Sequence, residues 1–243
     1  MTRARLLFLA AAIAAANPAS AIVGAARDGE AYADRVVMVL ARQGARQSIC
    51  SGVAVSARVV LTAAHCLAGA ADTLVGLRIA GHTTPAAVSR VARHPGFDPN
   101  APKDRKLSID LGLIETAAPL PQGFAAAPLA DGAPALGEAV TVVGFGVAQE
   151  GGSPSDGRAR AADLVVAEPL SHVTLWAKDP AGAGLGGCHG DSGGPMFAAD
   201  GRVAAVVAWT NGVRGRGCGA ITQGPLVAPA LKWIAEVRAG WGE

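Results

Sequence analysis

Gly190-Asp191-Ser192-Gly193-Gly194-Pro195 is the stretch on which the reading of this chain turns. A serine hydroxyl is a weak nucleophile until a base takes its proton and fixed donors stabilise the oxyanion formed on the substrate. Glycines on both sides let the backbone approach a substrate closely and leave N–H groups free to act as those donors. A chemically idle Gly/Asp/Ser turn has the same composition, so the hexapeptide needs partners elsewhere in the chain.

Two such partners stand upstream. Leu61-Thr62-Ala63-Ala64-His65-Cys66 ends an apolar run on a histidine beside a cysteine. Asp110 lies within Leu107-Ser108-Ile109-Asp110-Leu111-Gly112-Leu113-Ile114, where an ionised carboxylate is costly unless paired. An imidazole N–H from His65 would pair it. Chain order then separates the hydrolase folds that share this chemistry. Gly190-x-Ser192-x-Gly194 also fits the nucleophile elbow of α/β-hydrolases, in which acid and histidine follow the serine. His65, His82, His94, His172 and His189 all precede Ser192, which excludes that fold. An Asp-His-Ser order could use Asp34 and His65, but it needs alternating helices and parallel strands. Residues 66–190 show no helical pattern. His65, Asp110 and Ser192 on a β-rich scaffold remain.

The surrounding sequence supplies that scaffold. Runs at 35–40, 51–55, 59–62, 109–114, 139–145, 163–167 and 203–209 are rich in β-branched residues and set between turn formers. Short strands at such spacing predict an all-β sandwich or barrel. One helix is expected over 229–238, where Leu231, Ile234 and Val237 recur every third residue and Gly240 can stop it. Pro119, Pro121, Pro128 and Pro134 make 117–136 a linker that halves the chain.

The N-terminus reads as an export signal. Arg3 and Arg5 precede the apolar run of 11 residues from Leu6 to Ala16, then Asn17-Pro18 and the small residues Ala19-Ser20-Ala21. Eleven residues cannot cross about 30 Å of hydrocarbon as a helix, so no membrane anchor is expected after signal removal. Cleavage after Ala21 leaves 222 residues whose 19 cations balance 19 anions. That balance offers no excess to neutralise phosphates, which excludes nucleic acid as a partner. In the whole chain 51% apolar and 16% charged residues, with a net charge of +2, exclude disorder. Cys50, Cys66, Cys188 and Cys218 enter an oxidising compartment as an even set. Three pairings are open, of which Cys50–Cys66 with Cys188–Cys218 closes one loop in each half. No Cys-x-x-Cys or His-x-x-x-His spacing supports a metal.

These motifs resemble the chymotrypsin/trypsin family of secreted serine endopeptidases. Thr62-Ala63-Ala64-His65-Cys66, Asp110-Leu111, Gly190 to Pro195, Ala208-Trp209-Thr210 and Ile22-Val23-Gly24 carry the likeness across the mature chain. The resemblance implies two six-stranded antiparallel β-barrels, an active site between them and a C-terminal helix. It divides the chain into a signal over 1–21 and barrels over 22–121 and 122–243. His65 is then general base and acid, Asp110 orients it, Ser192 attacks, and the N–H groups of Gly190 and Ser192 form the oxyanion hole. Ile22, freed as an amino terminus, would pair with Asp191. Ala208 stands where the family often has a serine that helps hold the aspartate, so reduced activity is expected. Gly186, Trp209, Thr210 and Thr222 are the expected substrate-binding residues. Without a charge at Gly186, small or medium aliphatic side chains are expected before the scissile bond; Arg214 and Arg216 could favour acidic ones instead. The inferred reaction needs a peptide or protein substrate and no cofactor, by a monomer in the periplasm or outside the cell. A non-catalytic binding module or an esterase on the same fold are the rival readings.

Overall fold

β-Branched runs punctuated by glycine and proline set the strands. The computed structural model describes residues 22–44, 46–104, 106–152, 156–213 and 215–243. The expected signal and Arg214 lie outside them. A short strand, β1 (Arg27–Asp28), precedes six that close into an antiparallel barrel. These are β2 (Val36–Gln43), β3 (Arg46–Ala54), β4 (Val59–Thr62), β5 (Thr73–Ile79), β6 (His82–Arg93) and β7 (Gly112–Thr116), in the spatial order β2-β3-β4-β7-β6-β5. A single helical turn, α1 (Ala101–Asp104), interrupts the long β6–β7 connection.

The second sheet holds β8 (Ala139–Gly144), β9 (Arg160–Val166), β10 (Thr174–Lys178), β11 (Pro195–Ala198), β12 (Val203–Val206), β13 (Trp209–Asn211) and β14 (Ile221–Pro225). Their order is β12-β11-β8-β9-β10-β14-β13, and β1 pairs with β9. Among the described residues one bridge, Ala205 to Leu226, joins β12 to the end of β14, so this sheet closes less fully than the first. The run 203–209, read as one strand, splits in two. Val207 explains the break, because its carbonyl accepts from Gly193 N at 2.6 Å and its N–H donates to Gly194 O at 2.8 Å. Its backbone serves the serine loop instead of a neighbouring strand.

Three other expectations shift. The run 109–114 becomes a strand from Gly112 onward; a tight turn, Leu111 N to Ile109 O at 2.9 Å, leaves Asp110 on a bend. The helix α2 (Leu231–Trp241) runs through Gly240 and stops at Gly242, which takes φ +83° and caps the last turn. The proline-rich linker is pinned: Ala125 donates to Asp34 O, Ala127 to Ala54 O and Ala130 to Val203 O.

One apolar core runs through both sheets, from Val37, Leu61 and Leu113 to Phe145, Phe197 and Val227. The chain ends cross over. β1 joins the second sheet, while α2 lies against the first, with Ile234 buried in the shared core. Arg90 on β6 fastens α2 by donating to the Trp241 carbonyl at 2.9 Å and stacking over its ring. The same guanidinium donates to both oxygens of buried Glu115, at 2.6 and 2.8 Å, and Ser89 Oγ donates to one of them. These bonds hold the Glu115 carboxyl down at about 2. A depressed carboxylate stabilises above its ordinary range and stops doing so as pH falls through its folded value. Glu115→Ala should therefore lower stability by about 1–3 kcal/mol at pH 7. Urea melts of the two proteins should converge as pH drops from about 4.5 towards 2.

Candidate active site

Strand β4 delivers His65. The chain leaves the strand at Thr62, passes through buried Ala63 and Ala64, and turns once in a short 3-10 segment, Ala64–Cys66. Small residues let this turn sit against the start of β7, where a Cβ on Gly112 would meet Leu67 Cδ1 at 2.6 Å. Across that contact stands Asp110. Its Oδ1 accepts the His65 backbone N–H at 2.8 Å, and its Oδ2 lies 2.6 Å from His65 Nδ1. Both oxygens are thus committed to one residue, which fixes ring and carboxylate together. With Nδ1 donating, Nε2 carries the lone pair and can accept a proton. The Asp110 side chain is 16% exposed and the imidazole 39%, so the pair is open to a ligand on the imidazole side.

Ser192 arrives from the opposite sheet in a loop that Ser51 on β3 holds. Ser51 N donates to the Ser192 carbonyl at 2.7 Å, and Ser51 Oγ donates to Gly190 O at 2.9 Å while accepting from Phe145 N at 2.9 Å. Thr62 Oγ1 donates to Ser51 O at 2.7 Å, which ties the histidine strand to the same residue. The Cys50–Cys66 disulfide links β3 to the 3-10 turn that follows β4. Cys66 Sγ lies 3.6 Å from His65 Nε2 and 3.7 Å from the Ser192 carbonyl oxygen, so imidazole and serine loop border one sulfur. Gly190 takes φ +97° and Gly193 φ +83°. Among the described residues the N–H groups of Gly190 and Ser192 donate to no protein acceptor.

Asp191 points away from this surface and is fully buried. It accepts from Gly146 N at 2.8 Å, Cys188 N at 2.9 Å and the Ile22 backbone N–H. Burial pushes its carboxyl up to about 7 despite those donors. Ile22 is itself buried in the core of the second sheet, and its φ of +58° is strained for a β-branched residue. Val23 and Gly186 exchange backbone bonds of 3.1 and 3.2 Å, so the N-terminal segment is held against the stretch just before the serine loop.

The space beside this stretch is narrow. Thr210 on β13 stands directly opposite Thr222 on β14. A Cβ placed on Gly187 would lie 3.1 Å from the Thr210 methyl and 3.2 Å from that of Thr222. Thr222 Oγ1 accepts from Gly187 N at 2.9 Å and Thr210 Oγ1 donates to Gly217 O at 2.8 Å, so both methyls are held inward. The second disulfide, Cys188–Cys218, ties the stretch before the serine loop to the β13–β14 connection. Gly186 is buried and uncharged, Trp209 is half-exposed at the rim, and Arg216 and His189 face solvent. Among the described residues two clusters gather three ligand-type side chains each, Cys50 with His65 and Cys66, and Glu150 with His189 and Cys218. Their sulfurs are all engaged in disulfides, so neither fits a metal.

The sequence reading missed Ser51, Gly146 and Glu150. Glu150 Oε1 accepts from Gly217 N at 2.6 Å and so braces the β13–β14 connection. Ser51 was the most accessible of the three, since it follows Cys50 directly.

Two antiparallel sheets, with a histidine–carboxylate couple from one facing a glycine-framed serine loop from the other, define the serine-protease class of fold. The chain belongs to the trypsin family, whose family model, Trypsin, matches residues 23–234. Snake venom serine proteinase 14 of Crotalus adamanteus is 31% identical over 175 residues, which cover 67% of this chain and 67% of that one. Serine protease 56 of Homo sapiens is 31% identical over 170 residues, 62% of this chain, which spans 27% of that longer relative. Trypsin eta of Drosophila melanogaster is 29% identical over 248 residues, 90% of this chain and 89% of its own. The fold is shared with mouse neuropsin (TM-score 0.67, 23% identity, 83% and 93% of the two chains). It is shared as well with human heparin binding protein (TM-score 0.71, 22% identity, 88% and 96%).

Gly193 is a position that tolerates no side chain. A Cβ there would sit 2.1 Å from both Ser51 O and Thr62 Oγ1, at a positive φ besides. Gly193→Ala should cost at least 3 kcal/mol, about the scale of overpacking plus strain. Thermal unfolding and circular dichroism should show a lowered midpoint with the β signal retained below it.

Proposed function

We propose that this protein is a secreted serine endopeptidase in which His65, Asp110 and Ser192 act as a unit. The observation that carries the reading is the double engagement of Asp110 by His65, backbone at 2.8 Å and Nδ1 at 2.6 Å. Ser192 Oγ attacks the carbonyl carbon of the substrate as its proton passes to His65 Nε2, and Asp110 stabilises the imidazolium. The oxyanion takes the N–H groups of Gly190 and Ser192, each such donor being worth roughly 10²–10³ in rate. His65 then protonates the departing amine, the C–N bond breaks, and water repeats the sequence on the acyl-enzyme to release the acid. The substrate is a peptide or protein, met by a monomer in the periplasm or the medium. The chain folds as a barrel over 22–121 and a second unit over 122–243.

Activation follows from the Ile22–Asp191 contact. Removal of a signal over 1–21 would convert the Ile22 amide into an ammonium beside a carboxyl that burial otherwise holds at about 7. It would also free Ile22 from its φ of +58°. A raised carboxyl costs stability as pH climbs from about 4 to that value, and an ammonium partner reverses the cost. Fluorophosphonate labelling of Ser192 should therefore track N-terminal sequence. Protein beginning at Ile22 labels, while protein retaining 1–21 and the Ser192→Ala variant do not. Correctly processed protein that fails to label would favour a binding role on this fold.

The threonine pair sets the preference. Thr210 and Thr222 shorten the pocket above uncharged Gly186, which suits small or medium aliphatic residues before the scissile bond. In a peptide panel, alanine and valine should exceed lysine, glutamate and phenylalanine by about tenfold or more in kcat/KM. That is the scale of one misfitted side chain. A glutamate preference would instead assign Arg216 to the pocket.

A further inference from the structure

We infer that this chain carries a second apolar basin, past the cleft beside His65, which receives apolar residues on the N-terminal side of the scissile bond of a polypeptide substrate. The inference rests on the peptidase reading above. Seven large hydrophobic residues are exposed among the described residues, and four of them, Leu107, Trp209, Leu136 and Leu170, line two adjoining hollows. Exposed apolar surface gathered this way marks a binding face, whereas scattered single residues need no explanation. The first hollow, about 750 Å³, begins at His65 and Asp110 and is walled by Leu107, Trp209 and Trp176. The second, about 270 Å³, lies beyond and is walled by Leu136, Pro169, Leu170 and again Trp176.

The strand register makes the two continuous. Gln223 on β14 stands opposite Trp209 on β13 and opposite Trp176 on β10. Residues directly opposite in neighbouring strands share a face, so the three side chains form one row across the sheet. Thr174, two residues from Trp176 and thus on the same face, lines both hollows and pairs with Pro225. At the end of the row β13 is an edge strand with one partner, and an extended peptide can pair with its free side. From a peptide paired with the free side of β13 to β10 is three strand spacings, about 14 Å. Four or five extended residues span that distance. Residues upstream of those paired with β13 therefore reach the second basin.

Its chemistry defines the occupant. No lysine, arginine, aspartate or glutamate lines the second basin, and its polar side-chain groups are those of Ser171, His172 and Thr174 and the Trp176 indole N–H. A charged segment would lose its hydration there without a partner, whereas leucine- or valine-sized side chains would bury apolar surface.

The test uses peptides with the same four residues before the scissile bond, extended upstream by four more that are either Leu/Val-rich or Gly/Ser-rich. The Leu/Val extension should raise kcat/KM about tenfold over the Gly/Ser one, mainly through KM. In Leu136→Ser/Leu170→Ser that ratio should fall to about one. Equal kcat/KM for both extensions, or a ratio unchanged in the double variant, overturns the basin. Binding of the two peptides to Ser192→Ala, read by fluorescence polarisation, separates this from the peptidase reading. If neither peptide is cut but the Leu/Val one still binds about tenfold tighter, the basin stands and the peptidase reading falls; equal binding overturns the basin.

Discussion

The loop that carries Ser192 is built into neither sheet, and its position depends on being stitched to both. Ser51 reaches it from the barrel with one backbone and one side-chain bond, and Val207 grips it from the second sheet with both of its backbone groups. Each bond is modest, about 1 kcal/mol net. Their effect is geometric, because a serine held from two sides cannot drift with either sheet alone. Glycine at 193 and 194 is what lets the stitching close, since the partners occupy the space where a side chain would stand. The break in the strand after Val206 is the visible cost of this arrangement.

The same economy of space recurs beside the serine. His65 and Asp110 meet because alanines precede the one and a glycine follows the other closely, so two barrel strands approach without bulky side chains between them. The segment at Gly187 reverses the device. There, two threonines, fixed by their own hydroxyl bonds, project methyl groups towards the glycine. Small residues let the His65 and Asp110 segments meet, and branched ones narrow the space beside Gly187.

Much of this was legible because the informative signals are short and contiguous. Gly190 to Pro195, Thr62 to Cys66 and Asp110 each announce a chemical need within a few residues, and the local cysteine pairing formed as one of three open choices. What escaped was non-local. Ser51 matters through partners 94 and 139 residues away, which no window of sequence displays. Strand β6 is largely exposed and its apolar residues come in runs, so it lacks the alternation by which strands are read. Asp110 was read as mid-strand because its neighbours are apolar, whereas a bend just before β7 turns its carboxylate to the histidine. The facing of Thr210 and Thr222 needed the β13–β14 register, which the irregular stretch between the strands conceals from sequence alone.

The chain ends are exchanged between the two sheets: β1 is held by β9, and α2 is held by the barrel through Arg90, Glu115 and the shared core. Each disulfide, by contrast, stays within one half of the sequence. A nick in the pinned segment between the sheets would thus leave two covalently separate pieces, each clasping a terminus of the other. They would part by unlatching both clasps at once, so the halves are coupled like the two ends of a buckled strap.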